Sequence, residues 1–496
     1  MMERVKTTAL IILVVLSLIQ SYFLAYSFPN LGARVKVEQE YVLTETMGQK
    51  QRVEHVIFPE DIVLHAGGNR HTLLYPNTVT FNEITKRFEE VEFSGFLRHT
   101  ADSYDWAKAS TEGIGAELRF GTGVPVSLLQ KVYNLDGDFL FLGDTIERIW
   151  VMKRPNQDTV ETFFFSSDGK TVYESVREVF TLQDVQQFAG YGSYMPSYQL
   201  WRGSIYLPET PVETIESSFG YTAYSPEQMQ RNLFFDPEKT RNLEDWNGSQ
   251  IYTDGKRGLQ LGSGGTWMVY TDPVAPLDSP NDLGENMLAG LQFVNQHGGW
   301  DGRHRYVVPA DPADGRIILF QQYYDRYPVL GTEDFEYGHI RLIVQQGVVS
   351  EFERSLLTRG ERSGRTTERW LPGSGSVIEE LERYPRLREV VAVFPAQQVT
   401  PTDEGELHFA PVWAVRLSDG TEHKLMDALP AGTVLEQPLK KLPKLQFNKT
   451  GSSGVEGSGT DGGTGLRGNG SGGDSVIPLL PETGSSAGTP AEDGTN

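Results

Sequence analysis

Apolar and polar residues follow three different rhythms along this chain, and each predicts a different kind of element. The first is an uninterrupted apolar run. From Thr8 to Phe28 there is no charged residue, and about twenty helical residues at 1.5 Å each span the roughly 30 Å hydrocarbon core of a bilayer. Arg4 and Lys6 precede the run, which leaves the short N-terminus in the cytoplasm. Tyr22, Phe23, Tyr26 and Phe28 gather at its far end, where aromatic rings favour the interface, and Pro29 stops the helix. The expectation is a single-pass anchor at residues 1–30 with everything beyond it outside the cell. Ala25-Tyr26-Ser27 is a passable cleavage site, but the apolar stretch is longer than a signal peptide needs, so the anchor is expected to stay.

The second rhythm has helical spacing. Phe81, Ile84, Phe88 and Val91 predict one amphipathic helix in FNEITKRFEEV, and FTLQDVQQFAG and PEQMQRNLF predict two short ones. SPNDLGENMLAGLQFVNQHGG predicts a longer helix with Ser279 as N-cap and Pro280 in its first turn. Leu283, Met287, Leu288, Leu291 and Val294 line one face of it, and Gly298 ends it. SGSVIEELERYP predicts another, with Val377, Ile378 and Leu381 inward.

The third is the strand rhythm. ELRF, ERIWVMKR, DTVETFFFSS and KTVYESV predict strands, the last two joined at Asp168-Gly169, and GSIYLPE, SQIYTDGKRGLQL and TWMVYTDPV predict more around an Asp254-Gly255 turn. RIILFQQYY, HIRLIVQQG and VVSEFERS follow, then VVAVFPAQQV, ELHFAPVWAVRLS and TEHKLM past Asp419-Gly420. Helix followed by sheet occurs twice in the second half. The fold class expected is α+β, with helices packed on antiparallel sheets. The expected domains are 31–196, 197–366 and 367–446, followed by a flexible Gly/Ser-rich tail at 447–496 that has almost nothing to bury.

Composition narrows the function. The 496-residue chain carries a formal charge of −22, which argues against a nucleic-acid partner. It has no cysteine, so neither a disulfide framework nor lipid attachment through an N-terminal Cys is available. No metalloprotease, nucleophile-elbow or phosphate-loop motif is present. His65 and His71 flank a glycine turn and offer two zinc ligands without a third, and Asp301, Arg303 and His304 in GGWDGRH read as a loop between helix and sheet. NLDGD does not fit calcium-loop spacing, and Asp136-Gly137 reads as a hairpin turn. Glu379, Glu380 and Glu382 beside Arg383 read as a solvated helix face. Leu480-Pro481-Glu482-Thr483-Gly484 matches the LPxTG wall-sorting signal, but no apolar span or basic tail follows it. Coincidence in a Pro/Thr/Gly-rich tail is the simpler reading.

LFFDPEKTRNLEDWNGSQIYTDGKRGLQL (Leu233 to Leu261) and LFQQYYDRYPVLG (Leu319 to Gly331), with the single apolar span and the α+β outer part, resemble the YycH (WalH) family. These are membrane-anchored regulators of the sensor histidine kinase WalK (YycG) in Gram-positive bacteria. The resemblance covers most of the chain but not the tail. It implies a three-domain outer part whose last two domains are like the sister protein YycI (WalI), with no catalytic activity and no cofactor. It also implies contact with the kinase through transmembrane helices, in a complex with the sister protein. On a helix turning about 100° per residue, Ser17, Gln20, Ser21 and Leu24 share one face, which Leu10, Leu13 and Val14 extend toward the cytoplasm. Small and amide side chains on such a face let helices approach and hydrogen-bond, each bond contributing about 0.6–2 kcal/mol. That suffices to bias a kinase whose states differ by a few kcal/mol. The competing reading is a membrane-anchored surface enzyme or cell-wall-binding receptor, which would need acid/base or nucleophilic groups converging in a pocket.

Overall fold

Phe81, Ile84 and Phe88 form the buried stripe of a helix at Val79–Glu90, whose N-cap Thr78 accepts a hydrogen bond from the Phe81 amide. The same logic builds the Leu182–Tyr191 helix, where Thr181 and Asp184 cap each other reciprocally and Val185 and Phe188 point inward. Both helices belong to a computed structural model that describes residues 48–433 apart from 138, 156, 178–179, 245–247, 263, 274–280, 310–314 and 365, together with Arg4, Lys6, Leu13 and Ser17. All of these fall within one unit, Met1–Pro438. The tail expected at 447–496, with its LPETG, lies outside the described residues.

Among the described residues, ten strands make the first sheet. They are β1 (Asp61–Ala66), β2 (His71–Leu74), β3 (Glu92–Thr100), β4 (Ile114–Pro125), β5 (Asn134–Asp136), β6 (Thr145–Lys153), β7 (Val160–Ser166), β8 (Thr171–Arg177), β9 (Tyr198–Arg202) and β10 (Ile205–Pro208). Their order across the sheet is β10-β9-β2-β1-β4-β6-β7-β8-β3-β5. Ile62, Leu64, Ala116, Leu118, Ile149, Val151 and Phe164 share the face that packs on the two helices. Alternation puts Val63, His65, Glu117, Arg119, Arg148 and Trp150 on the opposite face. The β7–β8 turn is the one expected: Asp168 accepts from the Lys170 and Thr171 amides, and Gly169 has φ +66°. Asp136-Gly137 is not a hairpin turn. Asp136 ends β5, which runs parallel to β3 at the sheet edge.

The second sheet holds β11 (Val212–Ala223), β12 (Arg241–Glu244), β13 (Gln250–Thr253), β14 (Gly258–Leu261), β15 (Trp267–Thr271), β16 (Arg303–Val307), β17 (Ile317–Tyr324) and β18 (Tyr327–Leu330). It continues with β19 (His339–Gln345), β20 (Val348–Ser355), β21 (Leu357–Arg362), β22 (Thr367–Leu371), β23 (Val390–Pro401), β24 (Glu406–Leu417) and β25 (Glu422–Asp427). The path is β12-β13-β14-β15-β20-β19-β17-β18-β23-β24-β11-β21, with β16, β22 and β25 beside β17, β11 and β24. Two antiparallel halves meet where β18 and β23 run parallel, Val329 opposite Gln397 and Leu330 opposite Gln398. The Leu283–Gln296 helix buries Met287, Leu291 and Val294 against Ile318, Leu342 and Phe352 of the first half. Its N-cap is Asp282, whose carboxylate accepts from the Glu285 amide; Ser279 and Pro280, expected to open it, lie outside the described residues. The Ser374–Arg383 helix buries Val377 and Leu381 against Trp413 and Val415 of the second half. Its Glu379 and Glu380 pair with Arg383 on an exposed face.

Two expected boundaries move. Strands β9 and β10, assigned by sequence to a domain starting at 197, complete the first sheet, because Tyr198 pairs with His71. Residues 197–366 and 367–446 do not separate into two sheets. β11 pairs with β21, β22 and β24, so a strand that falls within the expected central domain is interior to the C-terminal half. These pairings join segments more than 130 residues apart in the chain, which no local pattern encodes.

A buried amide pins the longer helix to its sheet. Asn286 donates to the carbonyls of Gly315 (2.8 Å) and Val344 (3.0 Å) and accepts from the Gly347 amide (2.9 Å). Asn286→Leu keeps the branched outline of the side chain but strands those groups, so it is expected to lower unfolding stability by about 3 kcal/mol, read as a lower urea midpoint with an unchanged slope.

Candidate functional site: an ion-pair seam between the sheets

Glu60 directly precedes β1, and its amide donates to the Arg119 carbonyl at 2.7 Å, which aims the side chain out of the first sheet. There it meets two guanidinium groups from distant parts of the chain. Arg416 of β24 makes a two-pronged pair with it at 2.7 and 3.1 Å. Arg305 of β16 closes on the same carboxylate and also donates to the Phe120 carbonyl at 3.4 Å. Arg305 is 2 % exposed and Arg416 6 %. Arg416 in turn reaches Glu422 at 2.9 Å, and Gln321 of β17 donates to that carboxylate at 2.7 Å. Gly121, at φ +69°, passes so close that a Cβ there would lie 2.5 Å from the Glu60 carboxylate.

Beside this junction, β1 and β4 add two more pairs in register. Asp61 accepts from Arg119 at 2.6 and 2.7 Å. Glu117 accepts from Arg148 at 3.0 Å and meets His65 Nε2 at 3.2 Å. His65 and His71 face each other across the β1–β2 hairpin, their Nδ1 atoms 3.1 Å apart. With Glu117 accepting from His65 Nε2–H, the shared hydrogen bond is donated by His71, a tautomer assigned from the partners. Glu117 therefore stands where a third ligand was sought, but against the far nitrogen of His65, on the side away from His71. Among the described residues no three His, Asp or Glu side chains are arranged to hold a metal ion.

Glu60, Asp61, Glu117, Arg119, Arg148 and Arg416 line a cleft of about 320 Å³, whose other wall is Val391–Phe394 at the start of β23. Burial by itself would raise the Glu60 pKa, and Arg305 and Arg416 override it, holding the carboxyl at about 2 against an ordinary 4.5. Glu117 is held lower still by Arg148 and His65 despite its burial. Burial pushes His71 down to about 4, and the neighbouring His65 adds to that. Glu147, 3.4 Å from Arg148, is pushed upward by burial. Glu60 and Glu117 are thus fixed carboxylates that hold cations and accept hydrogen bonds, and neither is poised to pass a proton near neutral pH.

The seam has no sequence signature of its own. Glu60 sits 245 and 356 positions from its two partners. The signal that was available is a charge inside an otherwise apolar strand: Glu117 and Arg119 in AELRF, Arg305 in HRYVV, Arg416 in VWAVRL. The residues expected on the membrane face stand differently. Leu13 and Ser17 are helical and exposed, while Leu10, Val14, Gln20, Ser21 and Leu24 lie outside the described residues. No helix among the described residues is long and apolar enough to cross a membrane.

Comparison with known proteins assigns the chain. Residues 3–188 match the N-terminal domain of YycH protein, and residues 202–424 match its C-terminal domain. The chain belongs to the YycH family. Its fold agrees: the crystal structure of YycH from Bacillus subtilis superposes with a TM-score of 0.63 over 77 % of this chain and 99 % of that one, at 17 % identity. An uncharacterized protein from Eubacterium rectale, at 8 % identity over 47 % of this chain and 89 % of its own, reaches a TM-score of only 0.29 and carries no argument. No curated protein matches the chain. The N-terminal YycH match begins at residue 3 and so includes the apolar run, and in this YycH-family chain the two matched domains meet across the seam that Glu60 closes.

Removing the Glu60 charge leaves Arg305 buried without a carboxylate and Arg416 with Glu422 alone. Glu60→Gln is expected to cost about 3–5 kcal/mol in chemical denaturation. The pH dependence has a definite sign. A carboxyl whose folded pKa is about 2 rather than 4.5 contributes its full stabilisation above pH 4.5 and loses it as pH falls toward 2. The gap between wild type and Glu60→Gln is expected to narrow by about 3 kcal/mol across that window, followed by urea unfolding at stepped pH.

Proposed function

We propose that the chain is a non-catalytic, membrane-anchored regulator of a WalK-type sensor histidine kinase, acting together with a YycI-type partner outside the cell. The observation that carries this reading is the ordered match of both YycH domains over residues 3–188 and 202–424. Membership of this family supports a regulatory role in general. The kinase, the partner and the membrane location are the finer reading.

In that reading the apolar run from Thr8 to Phe28 spans the bilayer, with its N-terminus in the cytoplasm. Leu10, Leu13, Val14, Ser17, Gln20, Ser21 and Leu24 make the face that packs on kinase helices. Their small and polar side chains permit close approach and interhelical hydrogen bonds. The outer part is held stiff by the ion-pair seam and docks the sister protein. A few kcal/mol delivered to the kinase helices is enough to shift a two-state equilibrium.

The test replaces Ser17, Gln20 and Ser21 together by leucine. Leucine is more apolar, so the chain is expected to remain in the membrane fraction. Losing two or three interhelical hydrogen bonds is expected to cut co-purification with the kinase about tenfold, with a matching loss of control over autophosphorylation. Undiminished association and control in the triple variant would contradict the proposed face.

A further inference from the structure

The chain joins the described fold at Gly48–Gln51, and it does so on the second sheet rather than the first. Gln49 and Trp300 exchange both backbone hydrogen bonds, at 3.2 and 3.0 Å. The Asn295 side chain accepts from the Gln51 amide and donates to its carbonyl, both at 2.8 Å. A Cβ on Gly48 would lie 2.5 Å from the Trp300 carbonyl oxygen, so this contact requires glycine. Between that segment, the Trp300–Arg303 turn and β21 opens a groove of about 540 Å³, with Tyr224 and Thr358 also on its walls.

Two arginines line the groove without a counter-ion. Arg303 is half-buried with its guanidinium 4.0 Å from the Phe58 ring. Arg359 lies 5.0 Å from the rings of both Phe219 and Tyr324. Neither has a carboxylate within 4.0 Å among the described residues, whereas Arg119, Arg148, Arg305 and Arg416 each hold one. Arg362 approaches the same Phe219 ring at 5.6 Å, so like charge accumulates at this edge. The one carboxylate in the groove wall, Asp301, is shared between His304 and Arg354 at 3.5 Å each. Burial lowers the Arg303 pKa below its ordinary value, as expected for a desolvated cation with nothing opposite it. In a chain of charge −22, two guanidinium groups that share a groove and hold no carboxylate among the described residues form a positive site suited to an external anion.

We propose that this groove binds an oxyanion, a phosphate or carboxylate group held by Arg303 and Arg359 against the aromatic wall. Guanidinium groups are suited to this because they donate two parallel hydrogen bonds to such a group. The groove is also lined by Gly48, Gln49 and Gln51, the first described segment after the apolar run, so occupancy is felt there and passes from it to the anchor. That last step rests on the regulatory reading; the binding itself does not.

The ligand is either a free anion or a lipid headgroup, and calorimetry on the full chain separates them. In phosphatidylcholine nanodiscs, titration with inorganic phosphate and with succinate is expected to give a saturable heat for at least one of them. Arg303→Gln with Arg359→Gln is expected to weaken that binding at least tenfold. Thr358→Glu, which places a competing carboxylate on the groove wall while leaving both arginines, is expected to do the same and covers the case in which the double variant folds poorly. Loss of the heat in phosphatidylglycerol nanodiscs identifies a headgroup as the occupant, and persistence identifies a free anion. No saturable heat in phosphatidylcholine, or a heat that Thr358→Glu leaves unchanged, overturns the proposal. Kinase co-purification measured on the same variants fails separately if only the regulatory reading is wrong.

Discussion

One buried carboxylate, Glu60, sets the geometry on which the rest of the molecule depends. It leaves the first sheet beside β1 and is closed by Arg305 from the middle of the chain and Arg416 from near its end. Bringing those charges out of water is unfavourable for each alone, and it becomes tolerable only when all three meet with their hydrogen bonds satisfied. The junction is therefore selective. A shift of either sheet by a residue would leave a guanidinium stranded, so the seam specifies one relative placement of the two sheets. Apolar packing reinforces it: Ile205 and Leu207 of β10 enter the core formed by Leu371, Val377, Leu381 and Trp413.

The charges of this junction are matched to one another rather than left open to solvent. The charged groups of the cleft are spent on one another, and two of its carboxylates are held far below neutral pH. Asn295 and Trp300 also fasten the Gly48–Gln51 segment to the second half of the chain. Trp300 is in turn steadied by its own Nε1–H donated to Asn295 at 2.8 Å. The arginine-lined groove sits at this fastening, with Gly48, Gln49 and Gln51 on its wall.

Much of the local structure could be read from spacing. The helices at 79–90, 182–191, 283–296 and 374–383 follow from apolar residues three and four apart, and the Asp168-Gly169 and Asp254-Gly255 turns follow from left-handed glycine. Long-range pairing could not. The spacing does not mark β11 at all, and it lies between partners from 357–371 and 406–409. The β9–β10 hairpin follows a helix and resembles the start of a new domain, but its pairing with β2 returns it to the first sheet. His65 and His71 were visible as a pair because a hairpin brings near residues together. Glu117, 52 positions from His65, was not. The groove arginines were hidden for the same reason, since only the fold shows that Arg303 and Arg359 hold no carboxylate among the described residues while Arg305 and Arg416 do. The face from Leu10 to Leu24 rests on spacing and family resemblance alone.

The central claim is that the seam makes the two sheets a single cooperative body, and native-state hydrogen exchange tests it most directly. At neutral pH with low, stepped urea, the slowest amides of β4 and β6 and those of β19 and β24 should open with the same free energy and the same urea dependence. Opening of either sheet at a distinctly lower free energy, with the other still protected, would show that Glu60 and its two arginines do not bind them into one unit.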